Sequence, residues 1–66
     1  MSSFQPKYRS ILTISQAAEV LNVSDRFMRR LVSERRIAFI KVGRFVRFDR
    51  ATLDAYLERH TIEEVR

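Results

Sequence analysis

The sequence predicts a small α+β fold in the order helix, helix, β-hairpin, helix. Its 66 residues hold one domain and no second core. Apolar residues recur at helical spacing in two runs with about three residues between them, the separation of a helix-turn-helix. From Ile37 the spacing changes to alternation on either side of Gly43, the single glycine, as in a hairpin.

Each element carries its own signals. Residues 1–10 (MSSFQPKYRS) are polar and without period, and read as a mobile arm. Ile11-Leu12 opens the ordered domain. Thr13 to Gln16 forms a capping box at the start of a first helix. Ile14, Ala17, Ala18 and Leu21 share one face of it, with Gln16 and Glu19 opposite. Asn22-Val23 breaks this helix. Ser24 is the N-cap of a second, and Asp25 suits the positive end of its dipole. Phe27, Met28, Leu31 and Val32 are its apolar stripe, which runs to about Arg35.

In the hairpin, Ile40, Val42, Val46 and Phe48 alternate with Lys41 and Arg47. A two-residue loop would begin on Gly43. The alternation fits a three-residue loop, Gly43 to Phe45, better, because Val42 and Val46 then face the same way. Asp49 is the N-cap of a third helix with Leu53, Tyr56, Leu57 and His60 inward. Residues 61–66 either continue that helix or form a tail. The whole is a small winged helix-turn-helix over residues 11–60, the hairpin being the wing, with an arm before it and a tail at 61–66.

Composition excludes several classes of function. There is no Cys, hence no disulfide, thiol catalysis or Cys-based zinc site. With one His as well, no structural metal is expected. The 45% apolar content is that of a globular chain. No apolar run reaches the ~20 residues of a membrane span, so no membrane partner is expected.

Charge points outward. Thirteen basic residues, 11 Arg and 2 Lys, face 8 acidic ones for a net +5. Residues 24–48 hold eight basic against two acidic residues, a net +6, and the rest of the chain nets −1. A segregated basic block fits a polyanion partner, double-stranded DNA. The bland alternative is a solvated surface that keeps the protein soluble.

Helical projection narrows this. Arg26, Arg29, Arg30 and Ser33 fall within about 100° of arc, opposite the apolar stripe, with Glu34 on the flank. Several Arg on one arc repel each other unless something anionic meets them. Arg also offers bidentate contacts to guanine and phosphate. In a helix-turn-helix the second helix enters the major groove by its N-terminal half. The expected DNA-binding set on this helix is therefore Ser24, Arg26, Arg29, Arg30 and Ser33. Arg26, Arg30 and Ser33 suit base or groove-floor contacts and Arg29 a phosphate. The alternative is that all three Arg meet phosphate alone. Lys41, Arg44 and Arg47 are expected on the outer face and tip of the wing, suited to the minor groove. Phe45 either packs under the wing or touches sugar and backbone, with base intercalation the least favoured reading.

No catalytic constellation is present. His60 lies on the stripe of the third helix without other metal-ligating residues nearby. Glu63-Glu64 sits near the end of the sequence without a pocket. One Gly cannot build a phosphate-cradling loop, and the serines lack a His–acid partner. No enzyme activity and no cofactor are expected.

The stretches LTISQAAEVLNVSDRFMRRLVSERRI and KVGRFVRFDRATLDAYL resemble the excisionase-type helix-turn-helix family, small winged-helix proteins related to the DNA-binding domain of MerR regulators. The matching features begin with Leu12-Thr13 and Ala17-Ala18. They continue through the turn Asn22-Val23-Ser24, Arg29-Arg30-Leu31, Val42-Gly43-Arg44 and the run Leu53 to Leu57. The resemblance covers about residues 11–58. It implies a recombination directionality factor, without chemistry of its own. Such a protein binds attachment-site DNA as several cooperating copies, bends it, and assists a tyrosine or serine integrase in excising a prophage or mobile element. It also implies a place in the bacterial cytoplasm, at the nucleoid. A MerR-type regulator is expected to carry a coiled coil after the module, and few residues follow it here. The alternatives are a small phage or plasmid transcription regulator using the same module, and a protein-interaction module whose basic face binds an acidic protein.

Overall fold

A computed structural model describes residues 10–64. The elements are β1 (Ile11–Leu12), α1 (Ile14–Leu21), α2 (Asp25–Ser33), β2 (Ile40–Val42), β3 (Phe45–Asp49) and α3 (Arg50–Arg59). The expected winged helix-turn-helix is this fold. The arm expected over residues 1–10 lies, except for Ser10, outside the described residues, as do the last two of the tail. Thr61 to Glu64 do not continue α3.

The helix-turn-helix is set locally. Thr13 Oγ1 accepts from the Gln16 amide at 3.1 Å, and the Gln16 side chain accepts from the Thr13 amide at 3.0 Å. That is the capping box in full. Asn22 ends α1 in the left-handed region at φ 59°, and its N–H donates to Ala18 and Glu19 carbonyls. Asn tolerates this conformation better than most residues. Ser24 then starts α2 by accepting from the Phe27 amide at 3.1 Å. Ser15 on α1 donates to the Asp25 carboxylate at 2.6 Å, tying the two helices across the turn. Ser24→Ala is expected to cost about 1 kcal/mol. In a domain this small that lowers Tm by about 4–8 °C, which a circular-dichroism melt measures directly.

The sheet is antiparallel in the order β1-β3-β2. Ile11-Leu12 is thus a strand, pairing with Asp49 and Phe48. Two residues show no period, so nothing in the sequence marked it. Ile37 is buried but precedes the hairpin, which starts at Ile40.

Of the two registers the sequence left open, the hairpin takes the two-residue loop that suited Gly43 and not the three-residue loop that alternation favoured. Val42 pairs with Phe45 across Gly43-Arg44. Gly43 sits at φ +62° with open space around it, so backbone conformation rather than crowding favours glycine. This one-residue change in register reverses a face. Lys41 lies opposite Val46, on the side of Phe48, whereas Arg47 lies opposite Ile40 on the other side. The expectation that Lys41 and Arg47 share the outer face is corrected accordingly.

The core is Ala17, Ala18, Met28, Leu31, Ile37, Phe48 and Leu53. Small alanines on α1 let α2, α3 and β3 approach. Two expected core stripes are narrower than their spacing suggested. Phe27 is 42% exposed and Leu57 44%, because α2 and α3 each meet the core along a single edge. His60 is also exposed, stacked on Tyr56 with ring centroids 4.1 Å apart. Asp49 takes the N-cap position of α3, but its side chain makes no capping bond.

Candidate nucleic-acid interface

Arg26, Arg29, Arg30 and Ser33 are all exposed on α2, while Met28 and Leu31 hold the opposite edge in the core. Burial of that edge fixes which way the Arg side points. Ser24 is exposed too, but its hydroxyl is engaged as the N-cap. Ser33 Oγ donates back to the Arg30 carbonyl at 3.4 Å.

Glu34 is closer to this face than its flank position suggested. Its carboxylate receives Arg30 Nε at 3.0 Å and Arg36 Nη1 at 3.4 Å. The hydrogen bond from Arg30 is the main reason its carboxyl is held below the usual range, with Arg36 adding to it. Glu34 therefore remains charged while it bridges two cations. Exposed pairs of this kind are weak and salt-screened, so Arg30 is tethered but not locked.

The wing residues divide. Arg44 is exposed at the tip and stands 6.0 Å from the Phe45 ring centroid. Arg47 is half-buried, lies 5.1 Å over the same ring, and donates to the Val46 carbonyl at 2.8 Å. Phe45 is 52% exposed between these two guanidinium groups. It does not pack under the wing. Because it sits on the side of Arg47 and Val42, the register turns it away from Phe48. Its ring and the two Arg form one cation–π unit at the tip. Half of Arg47 is spent on this local packing, which leaves Arg44 the freer cation.

Lys41 faces elsewhere. It joins Arg35, Arg36 and Arg59 around an open cleft of about 750 Å³ floored by Ile37, Ala38 and Phe39. Three of these four cations were absent from the set read off the sequence. Arg35 and Arg36 were visible only as charge in the basic block. Arg59 ends α3, where two Arg face two acidic residues, and no sequence signal brings it to the wing.

Among the described residues no three His, Asp or Glu side chains cluster as a metal site. Among the same residues, no helix is long and apolar enough to cross a membrane. What the surface offers is exposed guanidinium groups on one side of α2 and on an adjoining β-ribbon. Guanidinium forks match phosphate oxygens and guanine edges, and a helix or a two-stranded ribbon fits a DNA groove.

Comparison with curated proteins returns no match, and neither does comparison with solved structures. Comparison with family models matches residues 11–61 to the helix-turn-helix domain. That match takes in every element from β1 to α3, and the chain therefore belongs to the helix-turn-helix domain family, a membership that suggests binding to DNA.

Proposed function

We propose that this chain is a sequence-specific DNA-binding and DNA-bending excisionase. It seats α2 in a major groove, sets the wing against the neighbouring backbone or minor groove, and cooperates with an integrase in excision. The observation that carries this reading is the exposed side of α2, where Arg26, Arg29, Arg30 and Ser33 stand together opposite the buried Met28 and Leu31. Within α2, Arg26 and Arg30 are the base-reading residues and Arg29 meets phosphate. Arg44 and Arg47 act from the wing. Membership of the helix-turn-helix family and the resemblance to excisionases support it.

Bending is what the resemblance to excisionases implies, and the size of the module then makes cooperative binding the expected mode. A module this small contacts roughly 600–1,000 Å² of DNA. Bending a site costs on the order of 1–6 kcal/mol. One copy has little surplus to spend on deformation, so several copies side by side are expected to share it, binding cooperatively.

Phased-gel mobility on a selected site, followed by an excision assay with an integrase on its attachment DNA, tests the proposal. A phase-dependent bend and increased excision are the expected results. Tight binding with a straight duplex and no effect on the integrase would leave a transcription regulator using the same module. No DNA affinity even at low salt would favour a module that binds an acidic protein.

A further inference from the structure

We infer that the cleft between the end of α2, the wing and the end of α3 is a phosphodiester-binding site that grips the backbone of the duplex on which α2 docks. This rests on the proposed DNA-binding reading and extends it to Arg35, Arg36 and Arg59, side chains outside the recognition face.

Four observations carry it. First, Arg35, Arg36, Lys41 and Arg59 line one concavity, and no acidic side chain lines it among the described residues. Arg36 is offset by Glu34, but Arg35, Lys41 and Arg59 have no ion pair among the described residues, and their shared space favours an anion. Second, three of them are held in place, Arg59 by its guanidinium 5.9 Å over the Tyr56 ring. Arg35 follows α2 in a left-handed backbone at φ 57° and its guanidinium lies 5.8 Å over the Phe39 ring. Arg36 is anchored by its amide to the Leu31 carbonyl at 2.9 Å and by its side chain to Glu34. Third, the cleft is open and its floor is apolar at Ile37, Ala38 and Phe39. A passing sugar-phosphate chain suits such a groove better than an enclosed small molecule does, since sugars meet the floor and phosphates the rim. Fourth, the cleft is continuous with the recognition face. Arg30 and Arg36 share the Glu34 carboxylate at 3.0 and 3.4 Å, so one chain of ion pairs runs from α2 to the rim.

The hairpin register is what creates the site. A three-residue loop would have turned Lys41 to the outer face. The two-residue loop places it with Val46 instead, toward Arg59.

The test is the salt dependence of binding to a duplex of about 20 bp of random sequence, where each phosphate contact contributes about 0.9 to the slope of log affinity against log salt. The variant is Arg35→Gly combined with Arg59→Gln. Glycine accepts the left-handed backbone, so removing Arg35 this way introduces no strain. Both side chains are exposed, so the melting temperature should be retained. The expected slope is shallower than wild type by about one to two units. Arg50→Gln is the control, because Arg50 begins α3 and is paired with Asp54 at 3.4 Å. Its slope should not change. A wild-type slope in the double variant overturns the cleft site and leaves the α2 reading standing. An equal drop in the Arg50 variant overturns it too, by reducing the effect to net charge. Absence of DNA binding by the wild type removes both readings. Inorganic pyrophosphate that raises the wild-type melting temperature, but not that of a double variant with an unchanged DNA slope, would give the cleft to a small phosphorylated ligand instead.

Discussion

Phe48→Ala is expected to leave the chain largely unfolded at physiological temperature. Phe48 is completely buried, the largest such side chain, and sits on β3, the strand between β1 and β2. Removing a buried Phe ring costs about 3–5 kcal/mol, part from lost transfer and part from the cavity left behind. A chain of this length has a total stability of roughly 3–10 kcal/mol. No disulfide holds the fold once packing fails. The loss also propagates, since Leu12 pairs directly with Phe48 and β1 is only two residues long. Phe48→Leu keeps most of the volume and should retain a cooperative transition. Thermal melts by circular dichroism decide the matter. A drop in Tm below about 10 °C for the Ala variant would mean that β3 is not where this core is anchored.

The same residue explains what the sequence made legible and what it did not. The starts of α1 and α2 were readable because they are local. Thr13 and Gln16, or Ser24 and the Phe27 amide, find each other within one turn whatever the rest of the chain does. The exposed Arg side of α2 was readable for the same reason, since it lies opposite Met28 and Leu31 on one helix. Pairing across the sheet was not. Phe48 and Leu12 are far apart in sequence, and a two-residue strand has no pattern to betray it. The hairpin register turned on a competition between two local signals. Side-chain alternation favoured a three-residue loop, whereas the positive φ that Gly43 supplies favoured two. Backbone geometry won, and Val42 and Phe45 stayed half in solvent as a result. Lys41 changed sides with them. The meeting of Lys41 with Arg59 depends on that register and on the packing of α3, and neither is written near either residue.

Arg26→Ala and Arg30→Ala are expected to weaken binding to a selected DNA site by unequal routes. Among the described residues the Arg26 side chain makes no hydrogen bond or ion pair, and it stands in the first turn of α2, the part of such a helix that reaches deepest into a groove. Its loss should remove a base contact of about 1–3 kcal/mol, and most of that loss should fall on the selected site rather than on random duplex. Arg30 starts from Glu34 at 3.0 Å and must share or release that carboxylate to meet DNA. Truncating it removes a contact and also leaves the charge of Glu34 facing the phosphates with Arg36 alone to offset it. Arg30→Ala should therefore lower affinity for both duplexes, and more for the selected one, by roughly tenfold or more on the selected site. Glu34→Gln combined with Arg30→Ala separates the two causes. Recovery of binding to random duplex in that double variant, without recovery of preference for the selected site, is the expected outcome. Fluorescence anisotropy on the selected and a scrambled duplex at matched salt measures all three variants. Equal losses on both duplexes for Arg26→Ala would reduce it to a phosphate contact and take base reading away from the first turn of α2.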